Sequence, residues 1–516
     1  MRTRLQRIKE WETQKLFLTI LSGKMIGIGT IYGAMRAFTW YFASAASAAD
    51  KETIPQQLSH QVNAINTTWV LVTAFLVFFM QAGFMALEAG FARQRETVNV
   101  LMECVFDTCL CGLLYWAFGF AFQFGGGNAI IGHHYFFLQN IPSTYDYAGS
   151  LDTGVAFLAF FLFQFAFADT ASTVTSGAMV GRTSFKGDIL YSTMVSGFLY
   201  PIFGHWVWGP GGWLATSMGW FHSLSGDGVF FRDFAGSTVV HTVGGVIALM
   251  GAIVLGPRLG RKFKRDGGGP TPPHDLTMAS IGAVILWFGW YGFNPGSTLS
   301  AMDFEGIGRV ATNTTLAACA GGMIAVLFVY PRSKKWDLGM SLNGFLGGLV
   351  AITAPCYWVS PTYSVLIGAV AGIIVPLGVD ALEHLRIDDP IGAVPVHMMA
   401  GIWGTLSIGL FAAGAYGGPV GLFDGGGTHQ LIAQAVGSLT CLVVVGGAAY
   451  IIMKIISKAP GEWALRVDRD GELEGLDVYE HGTHAYHTEL GQGSSFSAPS
   501  GLSSTSSQPP VGEGVH

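Results

Sequence analysis

The sequence predicts an all-α polytopic membrane protein with eleven transmembrane helices, arranged as an inverted 5+5 repeat plus one extra helix. Three observations lead to this prediction. Half of the 516 residues are hydrophobic and only 12% are charged, whereas soluble proteins carry about 25% charged residues. Glycine is abundant, with 72 residues, and small residues let membrane helices approach one another closely. Finally, one short pattern containing Asp and His occurs in two separate apolar segments.

Apolar segments long enough to cross a bilayer follow one another from about residue 66. A helix needs about 20 mostly apolar residues to span the hydrocarbon core, and the chain contains eleven such segments. The predicted spans are 66–91, 98–123, 153–180, 188–209, 234–256, 276–295, 308–330, 338–356, 363–381, 391–414 and 428–456.

Basic residues fall mainly in alternate loops between these spans. One set of loops contains Arg93, Arg182, the basic cluster 258–265 and Arg332, whereas the loop 124–152 contains neither Lys nor Arg. Because cytoplasmic loops are enriched in Lys and Arg, we expect the first span to start outside and the chain to end in the cytoplasm. The expected location is the plasma membrane, or the inner membrane if the cell is bacterial.

Composition divides the chain into three predicted regions. Residues 1–50 begin with basic residues and end in a small-residue run at 43–49, which is typical of a signal peptide or an uncleaved anchor. Residues 51–456 form the transmembrane domain. Residues 457–516 form a cytoplasmic tail, which becomes rich in Ser, Gly and Pro and is expected to be disordered after about 488.

The repeated pattern reads Asp, Gly at +3, Val at +7 and His at +8. It runs from Asp233 to His241 in the fifth span and from Asp389 to His397 in the tenth. Because five is an odd number of spans, the second copy enters the membrane in the opposite direction, as in inverted-repeat transporters. An ionisable residue inside a span is energetically costly, so both histidines are functional candidates.

Both histidines are expected near the middle of the membrane. Each lies eight residues after its Asp, which is about 12 Å along a helix, and half of the hydrocarbon core is about 15 Å thick. A neutral imidazole has one donor and one acceptor, so the pair can pass a proton or bind a small polar solute. The alternative is a purely structural pair satisfied by backbone carbonyl groups.

Helix capping is the expected role of the two aspartates, because Asp at a helix N-terminus accepts unpaired backbone N–H groups. Asp233 lies at the predicted outer mouth and also adds negative field there.

Aromatic residues gather at the predicted outer ends of other spans and include Phe163, Phe167, Trp208, Trp290 and Phe293. Such rings can attract a cation or mark the membrane interface, and composition alone does not separate the two.

Four segments resemble, in the same order, the motifs of the ammonium transporter (Amt/Mep/Rh) family, and most closely those of its Amt branch. They are 233–241, 290–297 (Trp-Tyr-Gly-Phe-Asn-Pro-Gly-Ser), 388–397 and the tail segment 475–482. The similarity runs from about 66 to 486. It implies a homotrimer in the lipid bilayer, with one pore in each eleven-span subunit and with ammonium and ammonia as substrates.

The resemblance also implies residue roles. Four residues match the outer ammonium recruitment site: Phe163, Phe167, Trp208 and Ser297. Two match the stacked phenyl gate below it: Phe167 and Phe293. His241 and His397 match the twin pore histidines, Thr353 matches a polar pore-lining position, and Asp233 matches a structurally required acidic residue. The implied function is electrogenic uptake, in which NH4+ is deprotonated, NH3 is conducted, and the proton is transferred separately.

Other hypotheses remain open: an ammonium sensor that moves little ammonium, and a neutral channel for NH3 or CO2. A haem enzyme with His205, His241 and His397 as ligands would lack a CxxCH attachment site. No enzyme activity, metal or cofactor is expected, and the scattered basic residues form no nucleic-acid patch.

The family implies a PII-type regulatory partner at the cytoplasmic face. Tyr479 stands where plant-type members have a phosphorylated threonine, so that switch is not expected here.

Overall fold

The structure is a computed structural model, and it describes Trp11, Lys15 and residues 54–147, 151–215 and 229–486. Apart from Trp11 and Lys15, the predicted signal or anchor segment lies outside the described residues, as does the predicted disordered end after about 488. The chain divides into two compact units, Met1–Gln61 and Val62–His516. All of the site residues predicted from the sequence belong to the second unit.

Eleven helical segments of the described chain correspond in order to the eleven predicted spans. Nine are long and apolar enough to cross a membrane; one of the others, Leu338–Thr353, is a shorter apolar helix. The remaining one, residues 185–208, runs through Phe185–Met194, a π-helical turn at Val195–Leu199, and Tyr200–Trp208. The segments are α1 (Ile54–Phe91), α2 (Gln94–Phe124), α3 (Phe157–Gly177), α4 (185–208), α5 (Ser237–Leu255), α6 (Leu276–Gly296), α7 (Phe304–Ser333), α8 (Leu338–Thr353), α9 (Pro361–Leu385), α10 (Val394–Phe411) and α11 (His429–Ile456).

The largest difference from the predicted boundaries is at α1. This helix begins at Ile54 rather than near residue 66, because a polar helical extension precedes its apolar part. A prediction that looks only for apolar residues detects the part of a helix that suits the bilayer and not the part that continues into water.

The loop after α2 contains two short antiparallel strands that the all-α prediction does not include. They are β1 (Thr144–Tyr147) and β2 (Leu151–Ala156). The ring of Tyr145 stacks on Phe160 of α3 with 4.1 Å between centroids, and its hydroxyl donates to the carbonyl oxygen of Phe124 at 2.9 Å. The hairpin is therefore anchored on the ends of α2 and α3.

The described part of the tail folds back onto the helices. It contains two short helices, α12 (Arg469–Glu474) and α13 (Leu476–His481). Asp477 accepts the backbone N–H of Asn99 in α2 at 3.0 Å, and Arg466 donates to the last carbonyl of α5 at 2.6 Å. The tail thus contacts the ends of α2 and α5 that the charge pattern predicts to be cytoplasmic.

α5 and α10 begin with the same local structure. Each opens with a π-helical turn that contains its histidine, Ser237–Thr242 in α5 and Val394–Met399 in α10. Directly before α5, Gly236 has a φ of 115°, and two residues before α10, Gly392 has a φ of 84°. Glycine adopts such positive φ values without the steric cost that a side chain would add, so the repeated glycine serves the turn into each helix.

The two aspartates explain why these unusual turns are stable. The carboxylate of Asp233 accepts four backbone N–H groups, from residues 236–239, at 2.8–3.0 Å. The carboxylate of Asp389 accepts three, from residues 392–394, at 2.8–3.1 Å. Both side chains cap their helices by satisfying N–H groups that have no partner within the helix.

α5 and α10 cross through a reciprocal pair of glycines, Gly245 and Gly401, each four residues after the histidine of its helix. A Cβ atom on Gly245 would lie 2.5 Å from the backbone nitrogen of Met398, and one on Gly401 would lie 2.6 Å from Oγ1 of Thr242. Met398 and Thr242 each directly follow a histidine, so each glycine meets the equivalent place on the other helix. This reciprocity is what a pseudo-two-fold axis between the repeats requires.

Candidate functional site

A cavity of about 350 Å³ opens beside the start of α5, and four predicted recruitment residues line it: Phe163, Phe167, Trp208 and Ser297. Phe163 and Phe167 lie on α3, Trp208 is the last residue of α4, and Ser297 directly follows α6. Asp233 also lines the cavity, although its carboxylate is engaged by the N–H groups of α5. Tertiary packing thus brings together residues that are up to 134 positions apart in the sequence.

Hydrogen bonds determine which groups the cavity offers to a solute. The indole N–H of Trp208 donates to the carbonyl oxygen of Asp233 at 2.7 Å, so Trp208 presents its ring and not a donor. The Ser297 hydroxyl donates to the carbonyl oxygen of Phe293 at 2.8 Å, which leaves the hydroxyl lone pairs able to accept. Aromatic faces with a hydroxyl acceptor suit a small cation that carries N–H groups.

Phe167, which lines the cavity, forms a stacked pair of phenyl rings with Phe293. The centroids of Phe167 and Phe293 are 4.0 Å apart with an interplanar angle of 22°, and both side chains are buried. Trp208 meets Phe167 edge-on at 6.2 Å. At this spacing the two rings are in van der Waals contact, and no solute fits between them.

A buried histidine pair continues the file of rings below this stack. The ring of His241 lies 5.4 Å from Phe293 and 5.3 Å from the ring of His397. The two Nδ1 atoms are 3.2 Å apart, so one nitrogen must donate the hydrogen and the other accept it. Nε2 of His241 is buried without a partner among the described residues, and it is free to accept from or donate to a solute, depending on the tautomer.

Trp290 is a site residue to which the sequence analysis assigns no separate role. Its ring stacks on His241 at 5.1 Å and 18°, and its indole N–H donates to Oγ1 of Thr353 at 2.9 Å. Thr353 is fully buried and donates in turn to the carbonyl oxygen of Leu349 at 2.7 Å. The structure therefore places Thr353 as the anchor of Trp290, and three-residue helical spacing from Phe293 is the signal that indicates Trp290.

Gln164 is a second residue that sequence reasoning did not select. It lines the cavity and is buried, and its side-chain oxygen has no hydrogen-bond partner among the described residues. The available signal is that Gln164 is the single polar residue in the run Phe157–Phe167. Buried polar groups are normally hydrogen-bonded, so this oxygen is available to a solute in the cavity.

The third histidine, His205, has a different environment. Its two ring nitrogens each lie 2.8 Å from a backbone carbonyl oxygen, those of Gln123 and Asn128. His241 and His397 are hydrogen-bonded to each other. The three histidines are therefore not arranged as haem ligands on opposite sides of an iron. Within the described ranges, no group of three or more His, Cys, Asp or Glu residues is arranged to hold a metal ion.

A file of rings that leads from a cavity to a buried imidazole pair, inside a duplicated bundle of apolar helices, defines a membrane protein that passes a small solute. The chain belongs to the Ammonium Transporter Family, which it matches over residues 68–486. It is 42% identical to the ammonium transporter Amt2 of Archaeoglobus fulgidus over 431 residues, covering 82% of this chain and 88% of that protein. A putative ammonium transporter of Synechocystis sp. is 41% identical over 458 residues, covering 88% and 95%.

Solved structures of the same family share this fold. A sensor Amt protein is 35% identical, with a TM-score of 0.71 over 81% of this chain and 99% of that chain. Mep2 of Candida albicans is 27% identical, with a TM-score of 0.69 over 79% and 87%. The family membership and the helical membrane fold predicted from the sequence are thereby confirmed.

Proposed function

We propose that this protein binds NH4+ in the cavity, removes one proton, and conducts NH3 past His241 and His397 while the proton crosses separately along the two imidazoles. The observation that carries the proposal is the buried histidine pair directly below a closed phenyl stack. A bare ion in an apolar passage is costly, whereas neutral NH3 is not. One positive charge therefore enters for each NH4+ taken up, and transport is electrogenic.

The side chains divide this task between them. The faces of Phe163, Phe167 and Trp208, with the Ser297 oxygen, bind the cation; each cation–π contact contributes about 0.5–2 kcal/mol. Rotation of Phe167 or Phe293 then admits the solute to the histidines. The shared hydrogen between the two Nδ1 atoms and the free Nε2 of His241 give the proton a route from one ring to the next.

The proposal extends to the protein's assembly and setting. The chain forms a homotrimer in the plasma membrane, with the first span starting outside and the tail in the cytoplasm. The alternating basic loops support this orientation. The packing of the tail against α2 and α5 leaves it on the same face as the basic loops, which is where a PII-type regulatory protein would dock.

Currents on solid-supported membranes test the transport mechanism directly. Reconstituted protein receives an ammonium concentration jump at two lipid-to-protein ratios. We expect a decaying current whose decay rate rises with protein density, because translocated charge fills the vesicle faster when more transporters are present. A transient whose decay is independent of protein density would mean binding without translocation, and the mechanism would be wrong.

The histidine pair is tested by replacing both residues. In the His241→Ala, His397→Ala double variant we expect the translocation current, whose decay rate depends on protein density, to fall to the level of protein-free vesicles, because the proton loses its carriers. The matched control is His429→Ala, which removes an exposed histidine at the start of α11. A translocation current that persists in a folded, monodisperse double variant would contradict the proposal.

An ammonium sensor is the second candidate function, and the similarity to a solved sensor Amt protein supports it. It predicts the density-independent transient in the same experiment. A neutral channel predicts no ammonium current. In vesicles that contain a pH-sensitive dye, NH3 entry would raise the internal pH rapidly, and CO2 entry would lower it, because CO2 hydrates to carbonic acid. The cavity's aromatic faces favour a cation site and therefore charge movement.

A further inference from the structure

Arg232 places a positive charge in the wall of the cavity that is proposed to bind ammonium. It directly precedes Asp233 and lines the same cavity as Trp208 and Ser297. Its Nε is buried and has no hydrogen-bond partner in the described part of the chain. The family resemblance assigns this position no role, and the transport proposal does not use it.

The position of Arg232 is fixed by its neighbours. Its backbone N–H donates to the side-chain oxygen of Gln434 at 2.9 Å, and its carbonyl accepts from the Gln434 amide nitrogen at 2.7 Å. The guanidinium carbon lies 4.0 Å from the ring centroid of Phe230 and 5.6 Å from that of Trp358. These contacts stabilise a cation without neutralising it, so the charge stays at the cavity.

The two repeats differ in how the charge at this position is compensated among the described residues. Arg232 occupies the position before the capping aspartate that Asp388 occupies in the second repeat. Asp388 is neutralised by ion pairs with Arg258 and Arg261, whereas none of the ion pairs among described residues involves Arg232. The neighbouring Asp233 carboxylate is turned to the four N–H groups of α5. Burial lowers the pKa of the Arg232 guanidinium to about 10, which leaves it charged at neutral pH.

We infer that Arg232 is an affinity-determining residue, whose fixed charge weakens the binding of NH4+ and of other monovalent cations in the cavity. The inference rests on the proposed function of that cavity. For two unit charges roughly 8 Å apart, repulsion changes a binding constant about two-fold at the dielectric constant of water and about thirty-fold at the effective value near a protein surface. Arg232 thereby shifts the working range of the site to higher ammonium concentrations and favours release of the bound cation.

The test compares ammonium titrations of four proteins by the amplitude of the initial current on solid-supported membranes. Arg232→Gln removes the charge, and Arg232→Lys retains it. Arg309→Gln is the matched control: Arg309 also lies over aromatic rings, those of Tyr357 and Tyr416, but it does not line the cavity. We expect Arg232→Gln to lower the half-saturating ammonium concentration by about two- to thirty-fold, with the other two variants unchanged.

The wild-type protein supplies a test that does not depend on a variant. Raising the ionic strength with N-methylglucamine gluconate should lower its half-saturating concentration, because salt screens the repulsion, and Arg232→Gln should lack this response.

An unchanged or raised half-saturating concentration in Arg232→Gln would overturn the inference. So would an effect that appears in chloride and disappears in gluconate, which would indicate a bound anion at Arg232. If the decay rate of the current does not depend on protein density, the transport proposal fails, while the binding transients still report the affinity.

Discussion

At the residue scale, the hydrogen bonds that are already made determine which atoms can meet a solute. The Trp208 N–H and the Ser297 O–H both donate to backbone carbonyls. The buried polar atoms left without partners include the Gln164 oxygen in the cavity and Nε2 of His241 below the phenyl stack. Because buried polar groups are normally satisfied, these two atoms are the unpaired groups that the proposed function assigns to hydrogen bonds with the solute.

Thr353→Val should lower both stability and ammonium current. The substitution keeps the side-chain shape but removes the acceptor of the Trp290 N–H, and a buried donor left unpaired costs about 1–3 kcal/mol. It also frees the ring that stacks on His241. Thr353→Ser, which keeps the hydroxyl, should behave like the wild type. Thermal unfolding in detergent and the initial current measure the two effects, and a Val variant with unchanged current would show that Trp290 does not orient His241.

At the scale of elements, each histidine is positioned by the way its helix begins. The first N–H groups of each helix have no acceptor within the helix. The Asp233 and Asp389 carboxylates accept those N–H groups, and the positive-φ glycines Gly236 and Gly392 permit the turn. π-helical turns are frequent at functional sites, and here one occurs at the start of each histidine-bearing helix.

Gly245→Ala and Gly401→Ala should each destabilise the crossing of α5 and α10. The added methyl group would lie 2.5 Å from the Met398 nitrogen in one case and 2.4 Å from the Ser237 carbonyl oxygen in the other, and backbone atoms cannot move aside cheaply. Overpacking typically costs about 1–3 kcal/mol, and the histidine pair should separate.

Gly447→Ala in α11 is the matched control, because nothing lies within 4 Å of its added Cβ. We expect this control to retain the unfolding temperature and translocation current of the wild type. Both crossing variants should have a lower unfolding temperature and a smaller translocation current. Equal unfolding temperatures for all three variants would mean that the helices can separate at no cost.

At the scale of the whole molecule, Asp388 joins segments from both halves of the chain. Its carboxylate accepts from Arg258 at 2.8 and 2.9 Å and from Arg261 at 3.1 Å, and its carbonyl oxygen accepts from Arg182 at 2.6 Å. Asp388 and Arg258 are both almost fully buried. Since Asp389 follows directly and caps α10, this network fixes the start of the helix that carries His397.

The ion pair with Arg258 should make stability fall in acid. Burial of Asp388 opposes ionisation, but the hydrogen bonds and charge of Arg258 outweigh it and hold the pKa of Asp388 well below its usual range. A carboxyl group with a depressed folded-state pKa contributes stability that is fully present above its unfolded pKa of about 3.9. That contribution is lost as the pH falls below about 4, by up to roughly 1.4 kcal/mol per pH unit.

Asp388→Asn should therefore be less stable at neutral pH by about 3–5 kcal/mol, the typical cost of breaking a buried pair. Its unfolding free energy should also change less steeply than that of the wild type between pH 5 and 3, a range of about two pH units around the unfolded pKa. Glu474→Gln, which alters an exposed carboxylate of α12, should follow the wild-type curve. Parallel curves for Asp388→Asn and the wild type would remove Asp388 from the acid response.

The sequence by itself determined the membrane class, the family and the inverted repeat. Apolar length and basic-loop alternation are local properties, because the bilayer imposes them on each helix separately. The repeated Asp–His pattern indicated the duplication. A glycine also lies twelve residues after each Asp, Gly245 in one repeat and Gly401 in the other. Chain-local patterns did not reveal the β-hairpin after α2, which depends on the packing of Tyr145 against Phe160.

Tertiary structure alone decided which atoms meet and which charges are neutralised. No spacing in the sequence states that the two Nδ1 atoms lie 3.2 Å apart, or that Trp290 is held by Thr353 against His241. Nor does the sequence show that Asp388 is paired with arginines, or that Arg232 faces the cavity without an acidic partner in the described chain. Hydrogen bonds and charge pairs form between helices far apart along the chain, so their presence depends on packing and not on local pattern.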